Sequence, residues 1–211
     1  MGIRYAQIES KHAAACATIE RRAFPELSGY DLLTEEDIRF YCSVFSEGGF
    51  VALDGETPVG MGLGIFLDID FSDTAHSLED LAGEHQCANH DPSGEWYYGI
   101  DLSVLPEYRG RGIGSELYKL RKGVVRAHNR RGIVAGGVIP GYADHIDTMN
   151  ADEYIRRVAA GELHDPTLSF QIARGFRPRA AIPDYMGDES VGNWAVLIVW
   201  HNPTYRSGRA T

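Results

Sequence analysis

The chain has 211 residues, 44% of them hydrophobic, and 30 acidic against 20 basic side chains give it a formal net charge of −10. That length supports one domain with a substantial core. The acidic balance argues against a general binder of nucleic acid or of anionic membranes, both of which demand a basic face.

No apolar run approaches the length of a membrane span, and residues 1–5 lack a signal-peptide layout. Gly2 is not followed by the Ser or Thr that a myristoylation motif needs, since Ala6 stands there. The odd set Cys16, Cys42 and Cys87 forms no disulfide framework and suits a reducing compartment. A cytoplasmic protein is expected.

Residues 3–9 alternate apolar and polar, as a half-buried strand does. Ser10 is placed to cap a helix running to Phe24 and ended by Pro25. After a loop at Ser28-Gly29, the run Thr34-Glu35-Glu36-Asp37 reads as a capping box opening a helix through Ile38, Tyr41 and Phe45. Residues 50–54 and 57–70 read as two strands joined by a tight turn at Asp54-Gly55. Gly60, Gly62 and Gly64 alternate along the second, so a helix or a ligand approaches that face closely. Residues 71–94 form a long polar connection with one short helical turn near Leu78. Within it, His85, Cys87 and His90 invite a metal reading. No fourth Cys or His lies at zinc spacing, so a polar loop without metal is expected.

Residues 96–104 are rich in aromatic and β-branched side chains and read as a strand that Pro106 ends. Arg109-Gly110-Arg111-Gly112-Ile113-Gly114 then leads through Ser115 into a helix, with Ile113, Leu117, Leu120 and Val124 as its apolar face. Three glycines at a strand-to-helix junction let backbone approach a ligand, and the free N–H groups of the first helical turn favour an anion. Two arginines add charge, so the turn reads as a phosphate cradle. The dinucleotide fingerprint does not fit, because the third glycine comes one residue early, and a Walker loop would need a lysine before Ser115.

Residues 133–139 form a short apolar strand expected to lie parallel to the one before it. Asn150 caps a helix that ends at Gly161, and Asp165-Pro166 opens another that stops at Gly175. Residues 177–185 and 193–200 close the fold as strands. One domain over residues 1–202 with a loose tail over 203–211 is expected.

The run Arg109-Gly110-Arg111-Gly112-Ile113-Gly114, with its lead-in Leu102-Ser103-Val104-Leu105-Pro106-Glu107-Tyr108, resembles the acyl-CoA pyrophosphate loop of the GNAT superfamily of N-acetyltransferases. The order of elements is similar to that fold along nearly the whole chain. The resemblance implies an α/β (α+β) architecture: a mixed, mostly antiparallel central sheet with a parallel pair splayed at its centre, flanked by helices. The stretches 136–142 and 161–176 resemble the GNAT domains found ahead of nitrilase-like carbon–nitrogen hydrolases. This one would stand alone, since Thr211 leaves no room for a hydrolase.

The family implies an N-acetyltransferase using acetyl-CoA (coenzyme A) as co-substrate, with direct attack by a small-molecule or peptide amine. A homodimer is compatible with it. The pyrophosphate is expected on Arg109, Gly110, Arg111, Gly112, Ile113, Gly114 and Ser115. The backbone of Leu102, Ser103 and Val104 is expected to pair with the pantetheine arm and polarise the thioester beside a bulge. The family's usual base position holds Tyr98, and its usual acid position holds Gln171. Asp101 is the carboxylate to consider as base. Strand alternation sets it opposite Tyr98 unless a bulge resets the parity. A catalytically weak acyl-CoA sensor or interaction module is the competing expectation.

Overall fold

Period-two alternation and turn glycines set out seven strands: β1 (Ile3–Gln7), β2 (Phe50–Asp54), β3 (Thr57–Leu67), β4 (Trp96–Val104), β5 (Gly132–Val138), β6 (Arg177–Ile182) and β7 (Ala195–His201). In the computed structural model, which describes residues 2–27, 29, 31–72 and 77–207, they form one sheet in the order β1-β2-β3-β4-β5-β7-β6. Every neighbouring pair is antiparallel except β4 and β5. The expected mixed sheet with a central parallel pair is therefore present.

Among the described residues, six α-helices cover it: α1 (Ala13–Ala23), α2 (Glu35–Phe45), α3 (Leu78–Ala82), α4 (Ile113–Ala127), α5 (Ala151–Ala159) and α6 (Leu168–Ile172). One core lies under α1 and α2 and includes Cys16, Ile38, Tyr41, Leu63 and Tyr98. A second lies beneath α4, α5 and α6 and includes Tyr97, Tyr118, Ile133, Tyr154 and Ile198, and a third, smaller one joins Ile19, Ala52, Val59, Ile113 and Leu117. Among the described residues, no helix is long and apolar enough to cross a membrane.

Most caps follow the sequence. Thr34 Oγ1 accepts from the Asp37 amide at 3.2 Å, and Asp37 Oδ2 accepts from the Thr34 amide at 2.7 Å. Asn150 Oδ1 accepts from Glu153 at 2.9 Å. Buried Asp165 takes the Thr167 and Leu168 amides on Oδ1, while its Oδ2 holds the Gly141 amide and the Tyr154 hydroxyl. Ser10 is the exception. It begins a 3₁₀ turn rather than capping α1, and the Glu9 amide donates to His12 Nδ1 at 3.0 Å.

The buried face of α4 is rotated from the expected stripe. Ile113, Leu117, Tyr118, Arg121 and Val125 are buried, while Leu120 and Val124 are half-exposed. The helix answers the question raised by the β3 glycines. Cβ atoms would meet Ile113 at Gly60 and Arg121 at Gly62, and would overlap the Tyr97 ring at Gly64.

Past β7, Asn202 is buried and its side chain donates to the Arg130 carbonyl, while the Arg206 amide donates to Asn129 Oδ1. Residues 208–211 of the expected tail, and Ser28 of the expected first loop, lie outside the described residues.

Candidate active site

β4 and β5 pair only over Trp96–Tyr98 and Gly132–Val134. Beyond Tyr98, β4 stays with β3 as far as Val104, and β5 stays with β7 as far as Val138. Their facing edges therefore part, which leaves a cleft of about 730 Å³. Leu102 and Val104 line one side, Val138 and Pro140 the other, and the glycine turn with the start of α4 closes one end. Phe24 and Leu27, just past α1, also reach it.

The turn has the geometry its glycines suggest. Gly110 and Gly112 have φ of 76° and 80°, a region that side chains with a Cβ rarely adopt, and Gly112 caps α4. No atom lies within 4 Å of where their Cβ atoms would be. The turn is thus open beside the N-terminus of α4, whose first amides have no partner within the helix, as an anion cradle needs.

Of the expected cofactor residues, Leu102, Val104, Arg109, Gly110, Gly112, Ile113, Gly114 and Ser115 line the cleft. Ser103 and Arg111 do not. Ser103 is buried and its hydroxyl donates to Asp101. Arg111 donates to the Glu107 carbonyl and lies 4.6 Å from the Tyr108 ring centre. Arg109 is largely committed to backbone, donating to the Ala23 carbonyl at 2.9 Å and the Val104 carbonyl at 3.4 Å. The cation that sequence reading missed is Arg174. Its guanidinium lines the cleft, donates to Ser115 Oγ at 2.7 Å and lies 4.3 Å from the Phe170 ring centre. Its position just before Gly175 gave no signal in one dimension.

The register settles the parity of Asp101. Gly99 pairs with Gly64 and Asp101 with Leu63, so Ile100 is an inserted residue. The bulge turns Asp101 to the same face as Tyr98, towards α1. Neither side chain lines the cleft. Asp101 Oδ1 accepts from Ser103 Oγ at 2.5 Å, and Oδ2 is buried without a partner. Burial pushes its carboxyl up to about 7, against the pull of the Ser103 hydroxyl, the Arg121 charge and the nearby Leu102 and Ser103 amides.

Glu20 on α1 is pushed up to about 9 by burial, with the Asp101 charge adding to the shift, and its Oε2 accepts the Leu33 amide. Tyr98 is fully buried, and its hydroxyl lies 2.7 Å from that of Tyr185. Tyr185 in turn packs under Gly136, where any Cβ would overlap its ring. Gln171, at the usual acid position, is buried and donates to the Tyr118 hydroxyl at 3.3 Å.

The polar loops divide. Ser77 and Glu79 of the long connection join Asp31, Asp184 and Tyr185 around a second recess of about 160 Å³ on the α1 and α2 side. Tyr142 and His145 instead pack against Tyr154 of α5, and their loop borders neither recess beyond Pro140. His85 bonds Asp37, while His90 accepts the Phe66 amide and stacks on Phe45, so these two histidines do not converge.

A model of the acetyltransferase (GNAT) family matches residues 13–136. The chain is 32% identical over 200 residues to the probable hydrolase YhcX of Bacillus subtilis (strain 168), covering 94% of this chain but only 38% of that protein. It is 27% identical over 190 residues to the uncharacterized N-acetyltransferase YkwB of the same organism, covering 90% of this chain and 84% of that one. Among solved structures it is similar to the GNAT-like decarboxylase GphF in complex with isobutyryl-CoA, with a TM-score of 0.76, 19% identity, and 96% and 100% of the two chains covered. From the family match over most of its length, together with the splayed central strands and the glycine turn on α4, the chain belongs to the acetyltransferase (GNAT) family.

Proposed function

We propose that the protein is an acyl-CoA-dependent N-acyltransferase that moves an acetyl group from acetyl-CoA to an amine, by direct attack in a ternary complex. The observation that carries the reading is the pair of open, positive-φ glycines at the N-terminus of α4, set at the end of the cleft where β4 and β5 part. A cradle without Cβ atoms, backed by a helix N-terminus, suits the pyrophosphate of coenzyme A. Acetyl-CoA supplies the activated acyl group.

The chain's own residues have three tasks. The turn from Arg109 to Ser115 takes the phosphates, with Arg174 beside it. The free β4 edge at Leu102 and Val104 offers N–H and C=O groups to a pantetheine arm, as a strand would to a new neighbour. Asp101 is the carboxylate proposed to take the amine's proton, since a pKa near 7 suits a general base at neutral pH. The acceptor is proposed to approach from the α1 and α2 face, past the paired hydroxyls of Tyr98 and Tyr185. A small-molecule or peptide amine and a cytoplasmic setting complete the proposal.

A second reading, an acyl-CoA-binding module with little catalysis, draws support from Tyr98 and Gln171 standing where relatives keep a base and an acid. The name of GphF adds that this fold also serves decarboxylation. One assay separates the three. Purified protein is mixed with acetyl-CoA and a panel of amines, and free CoA thiol is followed. Amine-dependent thiol release is expected. Tight acetyl-CoA binding with no thiol released by any amine would overturn the transferase reading in favour of the module. Release of carbon dioxide from a carboxylated acyl-CoA, without amine dependence, would point to decarboxylation.

A further inference from the structure

Arg121 is an anomaly in a helix face that should be apolar. It stands on α4 between Leu117 and Val125, is 2% exposed, and its Nε has no hydrogen-bond partner. Burying a guanidinium is costly, and an unsatisfied donor on it more so. The sheet is nonetheless shaped to hold it. A Cβ on Gly62 would lie 3.3 Å from its Cδ, and a Cβ on Gly99 would overlap its Nη2. Its charge sits 5.1 Å from the Tyr97 ring centre and 5.6 Å from that of Tyr118. The group is therefore set at Gly99, one residue beyond the last β4–β5 pair, where the cleft begins.

Its main-chain contact there is one carbonyl: Nη1 donates to the Asp101 oxygen at 3.2 Å, while its charge also acts on the Asp101 carboxyl and the Tyr97 hydroxyl. The strand register says what lies at the other end of that peptide unit. The Leu105 amide donates to Val59 on β3 at 3.0 Å. Alternation then turns the amides of Ser103 and Asp101 towards β3, and those of Leu102 and Val104 towards the open edge. The Asp101 carbonyl and the Leu102 N–H belong to one peptide group and point in opposite directions. A cation on the carbonyl draws electron density from the nitrogen and makes the N–H a stronger donor.

We infer that Arg121 is a positioning residue that polarises the Asp101–Leu102 peptide and holds it in place, so that the Leu102 N–H is the principal donor to the thioester oxygen. The inference rests on the acyl-transfer reading and deepens it. It explains why an arginine replaces an apolar residue on α4, why Gly62 and Gly99 lack side chains, and why the bulge at Ile100 is followed by a fixed peptide. Arg121 acts through the backbone and does not touch substrate.

The test uses acetyl-CoA labelled with carbon-13 at the thioester carbonyl, bound without amine, and reads its infrared stretch in wild type, Arg121→Met and Arg121→Lys. On wild type the stretch is expected at lower frequency than in solution. Arg121→Met should lose most of that shift, and turnover with the best amine should fall about tenfold or more, below the cost of deleting an oxyanion donor outright. The KM for acetyl-CoA should stay within about threefold, as expected when binding is untouched. Arg121→Lys, which keeps the charge but not the fork, should recover part of the shift. An unchanged stretch and turnover in Arg121→Met would overturn the inference, as would a loss of acetyl-CoA binding equal to the loss of turnover. Should the Met variant fail to fold, Arg121→Lys decides alone: a partial shift supports the inference, and full wild-type shift and turnover overturn it. Failure of wild type to bind acetyl-CoA would strike the acyl-transfer reading instead.

Discussion

Asp101 keeps one carboxyl oxygen on Ser103 and the other buried without a hydrogen-bond partner. A base in that setting is active when ionised, so turnover should rise with pH through about 7 and then level off. Asp101→Asn should lower kcat by about a hundredfold and remove that limb, with the KM for acetyl-CoA little changed. A variant with normal turnover and an altered melting temperature alone would make the carboxylate structural. Arg174 belongs to binding. Its guanidinium donates to a side-chain hydroxyl, Ser115 Oγ, rather than to the main chain, and among the described residues keeps one Nη free, so Arg174→Ala should weaken coenzyme A by about tenfold in calorimetry, the size of one charge-assisted contact. Unchanged affinity would remove it from the phosphate site.

At the level of elements, Gly60, Gly62 and Gly99 make room for α4, while Gly64 makes room for the Tyr97 ring of β4 and is the least forgiving. A Cβ there would overlap the Tyr97 ring and lie 2.5 Å from the Tyr98 carbonyl. Gly64→Ala should cost about 1–3 kcal/mol, the usual scale for overpacking, and lower the melting temperature. A melting temperature equal to wild type would show that the Tyr97 ring can move aside without loss. These elements were largely legible in the sequence, because caps, turn glycines and alternation act locally. Thr34, Asn150, Asp165 and the strand from Trp96 to Val104 all followed such rules. Three features could not be read that way. The bulge at Ile100 exists only in the pairing of β4 with β3, so the face taken by Asp101 depended on a partner strand. Arg121 departed from the apolar stripe, and its burial follows from Gly62 and Gly99, which lie far from it in the chain. Arg174 reaches the cleft only because α6 packs beside the start of α4.

For the molecule as a whole, two buried carboxyls should shape stability against pH. Glu20 and Asp101 are held above their unfolded values of 4.5 and 3.8, to about 9 and about 7. The folded state thus binds protons that the unfolded chain releases. Stability is highest below the unfolded values for these groups and falls as pH rises, through about 7 for Asp101 and about 9 for Glu20. Denaturant unfolding at a series of pH values should show this decline, and Asp101→Asn should flatten it below pH 7. His12, His90 and His201, held below 6.5 chiefly by burial, act the other way, so the test is the difference between wild type and Asp101→Asn: equal profiles would mean that Asp101 is ionised when folded.

The central claim is that an acyl-CoA pyrophosphate sits on the turn that opens α4, and calorimetry of acetyl-CoA on wild type and Gly112→Val tests it most directly. Gly112 has φ of 80° with open space around its Cβ position, so the variant strains the turn and fills the cradle without touching the core. The strain of about 1–2 kcal/mol is small enough to leave the domain folded. Wild type should bind acetyl-CoA, and Gly112→Val should bind about a hundredfold more weakly or not at all, the cost of about two amide–phosphate contacts. Equal affinity in the two proteins, with circular dichroism showing both folded, would contradict the assignment.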